Sequence, residues 1–343
     1  MRELTGKLRI SRILEGKEVD RSGFWLGKPK PDALKNIKKY LEVRSLREAE
    51  VRLKSDIRWI MAGNFSFPPS TAMMFKNLRK RNVRRSTSDA MVKDINTLED
   101  VERLNWIDRE KYLFPFFERK LRTAEQDNMA VFSGGHCHIW HFLLDFFGLE
   151  ECFMLMYENP ELVNDVVNRA TNCWLKFNDA LYKKFSSRID AGFYFNDLGT
   201  QLDTMVSVDM FREFFLPYFK KFIDQAHSFG IKCCLHSCGS IDRYIPDLII
   251  AGVDILHPIQ AKAKNMGAEH LKMTYGDNLV FMGGLDAQDI LPFKSPDDVM
   301  AEVKRLRGIF NNNFILSPSH ESILCNIPPE NIKAMAEEAT RIY

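Results

Sequence analysis

A chain of 343 residues, 45% hydrophobic and 27% charged, has the composition of an ordinary folded globular protein, long enough for two domains or for one barrel with extensions. Its 48 basic and 46 acidic residues leave a net charge of +2, so nothing in the balance points to nucleic acid or to a membrane surface as partner. No apolar run approaches the ~20 residues of a transmembrane helix, the N-terminal MRELTGKLRISR lacks the apolar core of a signal peptide, and seven cysteines fit a reducing cytoplasm, with thiols free or metal-bound, better than a disulfide framework.

Strand-like apolar runs alternate with amphipathic helices along the chain. Residues 1–55 hold an N-terminal extension and a first strand at 22–26. A second strand is expected at 56–61. Residues 62–128 fit the alternation worst and read as an inserted helical or loop region, an irregular arm or lid. Its basic stretch, 76–85, reads as a solvated face, with an anion-holding arm or a docking patch as the functional alternative. After a third strand at 130–133 comes GGHCHIWHF. On a helix His138 and His141 share a face but His136 and His138 do not, so this cluster reads as structural or substrate-lining. A helix follows Asn159-Pro160, with Val163, Val166 and Val167 at helical spacing. A fourth strand at 192–196 precedes a helix over 207–228, capped by Ser207 and stopped by Gly230. Strands at 232–236, 255–259 and 279–282 follow, then a helix from Ser295-Pro296 carrying Val299, Val303 and Leu306, and a last strand at 314–317. The last five strands are nearly continuous apolar runs, as strands buried on both faces are. Eight strand–helix units predict an α/β fold of the (β/α)8 TIM-barrel type forming one domain over 1–343. An open doubly wound sheet is the alternative that pattern alone leaves.

In such a barrel the active site lies at the C-terminal strand ends. Those ends carry Asn196-Asp197, His236-Ser-Cys238-Gly239, His257 to Gln260, Gly283 to Asp286 and Ser317 to His320. In a strand, residues i and i+2 point the same way. His236 and Cys238 therefore share a side, with Cys234 one step deeper, and an imidazole beside a thiolate makes two legs of a tetrahedral zinc site. The competing reading makes Cys238 a small buried hydrophobe and His236 a hydrogen-bonded core residue. A third ligand has two candidates past the eighth strand, His320 and Cys325, of which His320 is the nearer to the strand end. Cys233 and Cys234 read as structural. Asp197 fits a base, a metal-orienting group or simply a turn cap. Asp286 is a weaker candidate for catalysis, and Gln201, Gln260 and Gly284 for substrate binding.

At these residues the chain resembles the uroporphyrinogen decarboxylase superfamily, in the branch of cobalamin-dependent methyltransferases that includes those methylating coenzyme M. The resemblance runs from the Asp20-Arg21 pair of GKEVDRSGF through YENPELVNDVV, NDLGTQ, LHSCGSIDRYIPDLIIAGVDILHPIQ and VFMGGLDAQDILPF to ILSPSHESILCNIPPENIKAM. It implies a cytoplasmic enzyme in which His236, Cys238 and a later residue bind zinc. It also implies a corrinoid protein as partner, with a methyl group passing between its cobalt and a small thiol, ether or amine. The position resembling the third ligand is His320, with Cys325 able to replace it after a loop shift. RSGFWLG differs from the arginine-rich substrate motif of the porphyrinogen decarboxylases. The alternative is a metal-independent lyase with His320 and Asp197 as acid–base groups. A third possibility is a non-catalytic binding protein, against which the gathering of polar groups at the strand ends speaks.

Overall fold

The computed structural model describes residues 3–62, 92, 95–104, 106, 114–133, 137–311 and 313–342. Eight parallel strands form one sheet, and we number them along the chain. They are β1 (Gly23–Phe24), β2 (Ile57–Trp59), β3 (Ala130–Ser133), β4 (Ala191–Phe195), β5 (Lys232–His236), β6 (Ile255–Ile259), β7 (Val280–Leu285) and β8 (Phe314–Pro318). Their order is β1-β8-β7-β6-β5-β4-β3-β2. The two ends meet where the Asp56 N–H donates to the Phe24 carbonyl at 2.8 Å. This is the expected (β/α)8 barrel, with helices outside it.

Alternation along each strand separates two cores. Inward-facing Ile57, Phe132, Phe193, Phe195, Cys234, Ile255, Met282 and Ile315 fill the barrel. Outward-facing residues such as Tyr194, Leu235, Leu256, Phe281 and Leu316 pack under the helices. The N-terminal extension has a clear task. Thr5 caps the helix Gly6–Leu14 by accepting the Leu8 N–H, and Ile10 and Ile13 of that helix join the interior cluster from the N-terminal end of the barrel.

That plug is held by charge. Arg9 is 1% exposed, and its guanidinium donates to Asp20 at 2.7 Å and to Asp56 at 2.5 Å. Arg21 donates to both oxygens of Asp56, at 2.7 and 3.0 Å, and Asp56 also accepts the Phe24 N–H at 2.9 Å. Burial alone would raise the Asp20 pKa, but the bonds from Arg9 and the Leu4 N–H hold it below the usual carboxylate range. The Asp20-Arg21 pair read from the sequence is therefore part of the barrel floor, at the end opposite the site.

Two expected elements differ most from the structure. The first strand is shorter than 22–26, because the chain leaves the barrel at Gly27, whose φ of +92° only glycine adopts easily. It then forms a two-residue strand, Lys28–Pro29, parallel to Ser322–Ile323. The helix expected over 207–228 is two helices, Val208–Phe214 and Leu216–Ser228, because Pro217 has no N–H to continue the first. Within 62–128 the described residues include the helices Leu98–Arg103 and Pro115–Gln126. The basic stretch 76–85 and His136 lie outside the described residues. Among the described residues, no helix is long and apolar enough to cross a membrane.

Replacing Asp56 by Ala strands two buried guanidinium groups at the seam. We expect Asp56→Ala to cost about 3–5 kcal/mol, read as a lower urea midpoint with far-ultraviolet dichroism still native-like in the absence of denaturant.

Candidate metal centre

The parallel register sets Phe195 beside His236 and His236 beside His257 at the C-terminal ends of β4, β5 and β6. All three point inward. His236 is 2% exposed, and its ring lies 4.8 Å from that of Phe195. Its Nδ1 is 2.9 Å from Nδ1 of His257, so one ring donates to the other. This bond turns Nε2 of His236 toward the barrel mouth, where Cys238 Sγ stands 3.5 Å away.

Two backbone turns place the neighbouring groups. Gly239, at φ +85°, packs so closely on Gly199 that any side chain there would collide with the Gly199 backbone. The loop after β4 and the loop after β5 are thus pressed together. The Cys238 N–H donates to Asp197 Oδ1 at 3.2 Å, and the Leu198 N–H donates to Ser237 Oγ at 2.9 Å. Gln260 steadies the same loop by accepting the Gly239 N–H at 2.6 Å. Asp197 then reaches His236 Nε2 at 3.3 Å with one oxygen and His141 Nε2 at 3.2 Å with the other.

The fifth member comes from across the mouth. After β8 the chain pairs with Lys28–Pro29, and the Lys28 N–H donates to the Glu321 carbonyl at 2.5 Å. That pairing leans the segment inward. Glu321 Oε2 lies 3.8 Å from His236 Nε2 and 3.4 Å from His320 Nδ1. Two overlapping donor groups result, Asp197–His236–Cys238 and Cys238–His320–Glu321, each with its donor atoms within 4.8 Å of one another.

Charge at the cluster follows from this crowding. Burial opposes a charge on His236, but Cys238, Asp197 and Glu321 around it outweigh burial and hold its pKa well above the usual imidazole value. Burial would raise the pKa of Asp197 too, yet His141 and His236 hold it far below the carboxylate range. Glu321 is likewise lowered against its burial by His236 and His320. Burial pushes the Cys238 thiol up. His257, buried and beside His236 and His320, is pushed well below the usual imidazole value, burial being the largest cause.

The other expected site residues sit as follows. His320 is half-exposed, and its Nδ1 accepts the Ser322 N–H at 3.0 Å. Cys325 is exposed and outside both donor groups. Asp286 is buried, accepts the Gln288 N–H at 2.8 Å and faces Lys262 at 3.8 Å. Gln201 is exposed at the loop surface. A side chain on Gly284 would meet Leu306 and Phe314, so this residue faces the helix layer and not the mouth. Cys233 and Cys234 are buried, as a structural role requires.

Sequence reasoning passed over Glu321 and the bond by which His257 fixes the His236 ring. His257 carried a signal, since it lies one strand over from His236 in a parallel barrel. Glu321 carried none, because its position depends on the pairing with Lys28–Pro29. Lys28 also escaped notice. Its Nζ lies 4.4 Å from the centre of the Trp59 ring, and burial lowers its pKa.

The family model for uroporphyrinogen decarboxylase (URO-D) matches residues 84–342. A methyltransferase from Methanosarcina mazei shares the fold with a TM-score of 0.70 and 17% identity, over 98% of this chain and 98% of that one. Two further barrels align much more loosely. A D-psicose 3-epimerase has a TM-score of 0.40 and 12% identity over 93% of this chain and 95% of its own. A sugar phosphate isomerase/epimerase from Parabacteroides distasonis has 0.38 and 10%, over 95% and 96%. No curated protein matches in sequence.

A divalent metal binding at His236 Nε2 and Cys238 Sγ must displace the protons these groups hold at neutral pH. We expect release of about two protons per zinc, so that apparent affinity rises with pH until both ligands are deprotonated. Calorimetry in buffers of different ionisation enthalpy counts the protons, and a count of zero would show that these two groups are not the ligands.

Proposed function

The chain belongs to the uroporphyrinogen decarboxylase family, and from that premise we propose a zinc-dependent methyltransferase that moves a methyl group between a small substrate and a corrinoid carried by a partner protein. One observation carries the reading. His236 Nε2 and Cys238 Sγ are 3.5 Å apart, side by side at the mouth. With Zn–N near 2.0 Å and Zn–S near 2.3 Å, the edge of a tetrahedron between two such ligands is about 3.5 Å. The likeness to a methyltransferase along the full length of both chains supports the choice of reaction.

The surroundings suit a cation. Glu321 Oε2 is buried, has no hydrogen-bond partner and faces His236. A buried carboxylate oxygen of this kind calls for a positive charge. Zinc bound there supplies a Lewis acid that lowers the pKa of a thiol or hydroxyl at its open position.

The chain's own residues supply orientation and proton handling. His257, held neutral, fixes the His236 ring through Nδ1 and keeps Nε2 directed at the mouth. Asp197 accepts the Cys238 N–H and so sets the position of the sulfur. His320 stands at the rim with Nδ1 engaged by the Ser322 N–H. In the neutral ring Nε2 then carries the proton and is a donor toward a group entering at the mouth. The aromatic floor of Phe193 and Phe195 keeps water out from below.

The alternative of a metal-independent lyase draws no support from the electrostatics. Asp197, held ionised between two imidazoles, is a poor general acid and a weak base.

The test is transfer from methylcobalamin to a panel of small thiols, followed by the absorbance change as the methyl–cobalt bond is lost. We expect activity in zinc-loaded protein, little in zinc-stripped protein, and recovery on adding zinc. Cys238→Ser should lower the rate by at least about 100-fold, and His257→Phe should weaken zinc binding by about 10–100-fold with the fold intact. Full activity in protein shown to be metal-free would overturn the zinc mechanism.

A further inference from the structure

Asp197 shares a donor group with His236 and Cys238, but its two oxygens are engaged by the Cys238 N–H at 3.2 Å and by His141 at 3.2 Å, and we infer that the ligand completing the metal set comes from the segment after β8 and is Glu321. This inference rests on the zinc reading above and deepens it. Three residues of that segment carry donor atoms, and the structure treats them differently.

Cys325 is exposed and belongs to neither donor group. His320 lies in one group, but its Nδ1 already accepts the Ser322 N–H at 3.0 Å, and its side chain is 47% exposed. Ligation through Nδ1 would break that bond, and ligation through Nε2 would move the ring proton onto Nδ1 and break it too, leaving a backbone N–H without a partner. Glu321 has the opposite character. Its side chain is 17% exposed, and Oε2 is buried with no hydrogen-bond partner. The same oxygen lies 3.8 Å from His236 Nε2, and the residue shares a donor group with Cys238. A tetrahedral edge between nitrogen and oxygen ligands is about 3.4 Å, so a movement of a few tenths of an ångström brings the carboxylate into place.

The backbone supports this placement. Lys28 pairs with Ser322 across two short parallel strands, and its N–H donates to the Glu321 carbonyl. Gly27 lies against the same carbonyl, where an added Cβ would come within 3.1 Å of the oxygen. The Glu321 carbonyl is thus held by the Gly27–Lys28 segment, which limits the entropy lost when its side chain is fixed. The resulting set has one nitrogen, one sulfur and one oxygen, with a position left for substrate. It carries one thiolate, whereas a set completed by Cys325 would carry two. His320 remains outside the metal's ligands, at the rim.

Cobalt(II) in place of zinc reports the ligands directly, through thiolate-to-metal charge transfer in the near ultraviolet. The parent should show the intensity of one thiolate. Glu321→Gln should bind zinc at least about 10-fold more weakly, while His320→Ala and Cys325→Ser stay within about threefold of the parent. Glu321→Cys should still bind cobalt and show about twice the charge-transfer intensity. Dichroism and melting of the metal-free variants control for folding. Parental zinc affinity in Glu321→Gln, a two-thiolate spectrum in the parent that Cys325→Ser reduces to one, or a loss in His320→Ala as large as in Cys238→Ser would each overturn the assignment while leaving the zinc reading standing. A parent that binds neither zinc nor cobalt overturns both.

Discussion

The buried ion network at the floor of the barrel is the constraint on which the rest depends. Asp56 is held by Arg9 and Arg21 and accepts the Phe24 N–H, so one carboxylate joins the N-terminal helix, the first strand and the start of the second. The same residue makes the backbone bond that brings the two ends of the sheet together. Charges buried this deeply are tolerable only because each finds several partners. Where β1 is only two residues long, backbone pairing alone is a thin seam. The ion network supplies what a longer strand would otherwise provide, and it does so at the end remote from the chemistry.

Closure at the floor determines what the mouth can be. Parallel strands in register carry His236 and His257 to the same height, where the bond between them sets the direction of the reactive nitrogen. Neighbouring loops add Cys238 and Asp197 through backbone bonds and a glycine–glycine contact. The short pairing of Lys28–Pro29 with Ser322–Ile323 then brings the segment after β8 over the opening. Without it, groups following β8 would stay on the far side of the barrel from β5, since the two strands are three places apart in the sheet.

The assembled site is a knot of unlike charges in a poorly solvated place. Two imidazoles hold Asp197 ionised, and Cys238 with the carboxylates of Asp197 and Glu321 raises the pKa of His236 against its burial. Such a cluster is balanced without a metal only while His236 keeps its proton. On the zinc proposal a divalent cation would replace that proton, giving the carboxylates and the thiolate a partner of higher charge in the same volume. Perturbed ionisation of this kind, gathered at a barrel mouth, is what a site built for chemistry shows more often than a merely structural one.

Much of this was legible in the amino-acid sequence, because it is encoded locally. Apolar runs of strand length, helix caps and glycine stops are short-range signals, and from them the alternation that makes a barrel could be read, with β3, β5 and β6 at their observed bounds. The two-residue side-chain period of a strand was enough to put His236 and Cys238 on one face and to mark the ends of the strands as the place to look. The short first strand and the break at Pro217 were misjudged where a single turn or proline overrides local pattern. The meeting of Glu321 with His236, the ring-to-ring bond of His236 with His257 and the anchoring of Asp197 by His141 belong to the tertiary structure alone. Each joins residues at least 21 positions apart in the chain. Which of several polar side chains on a loop turns inward depends on where barrel closure puts that loop's backbone partners, and no local pattern carries that information.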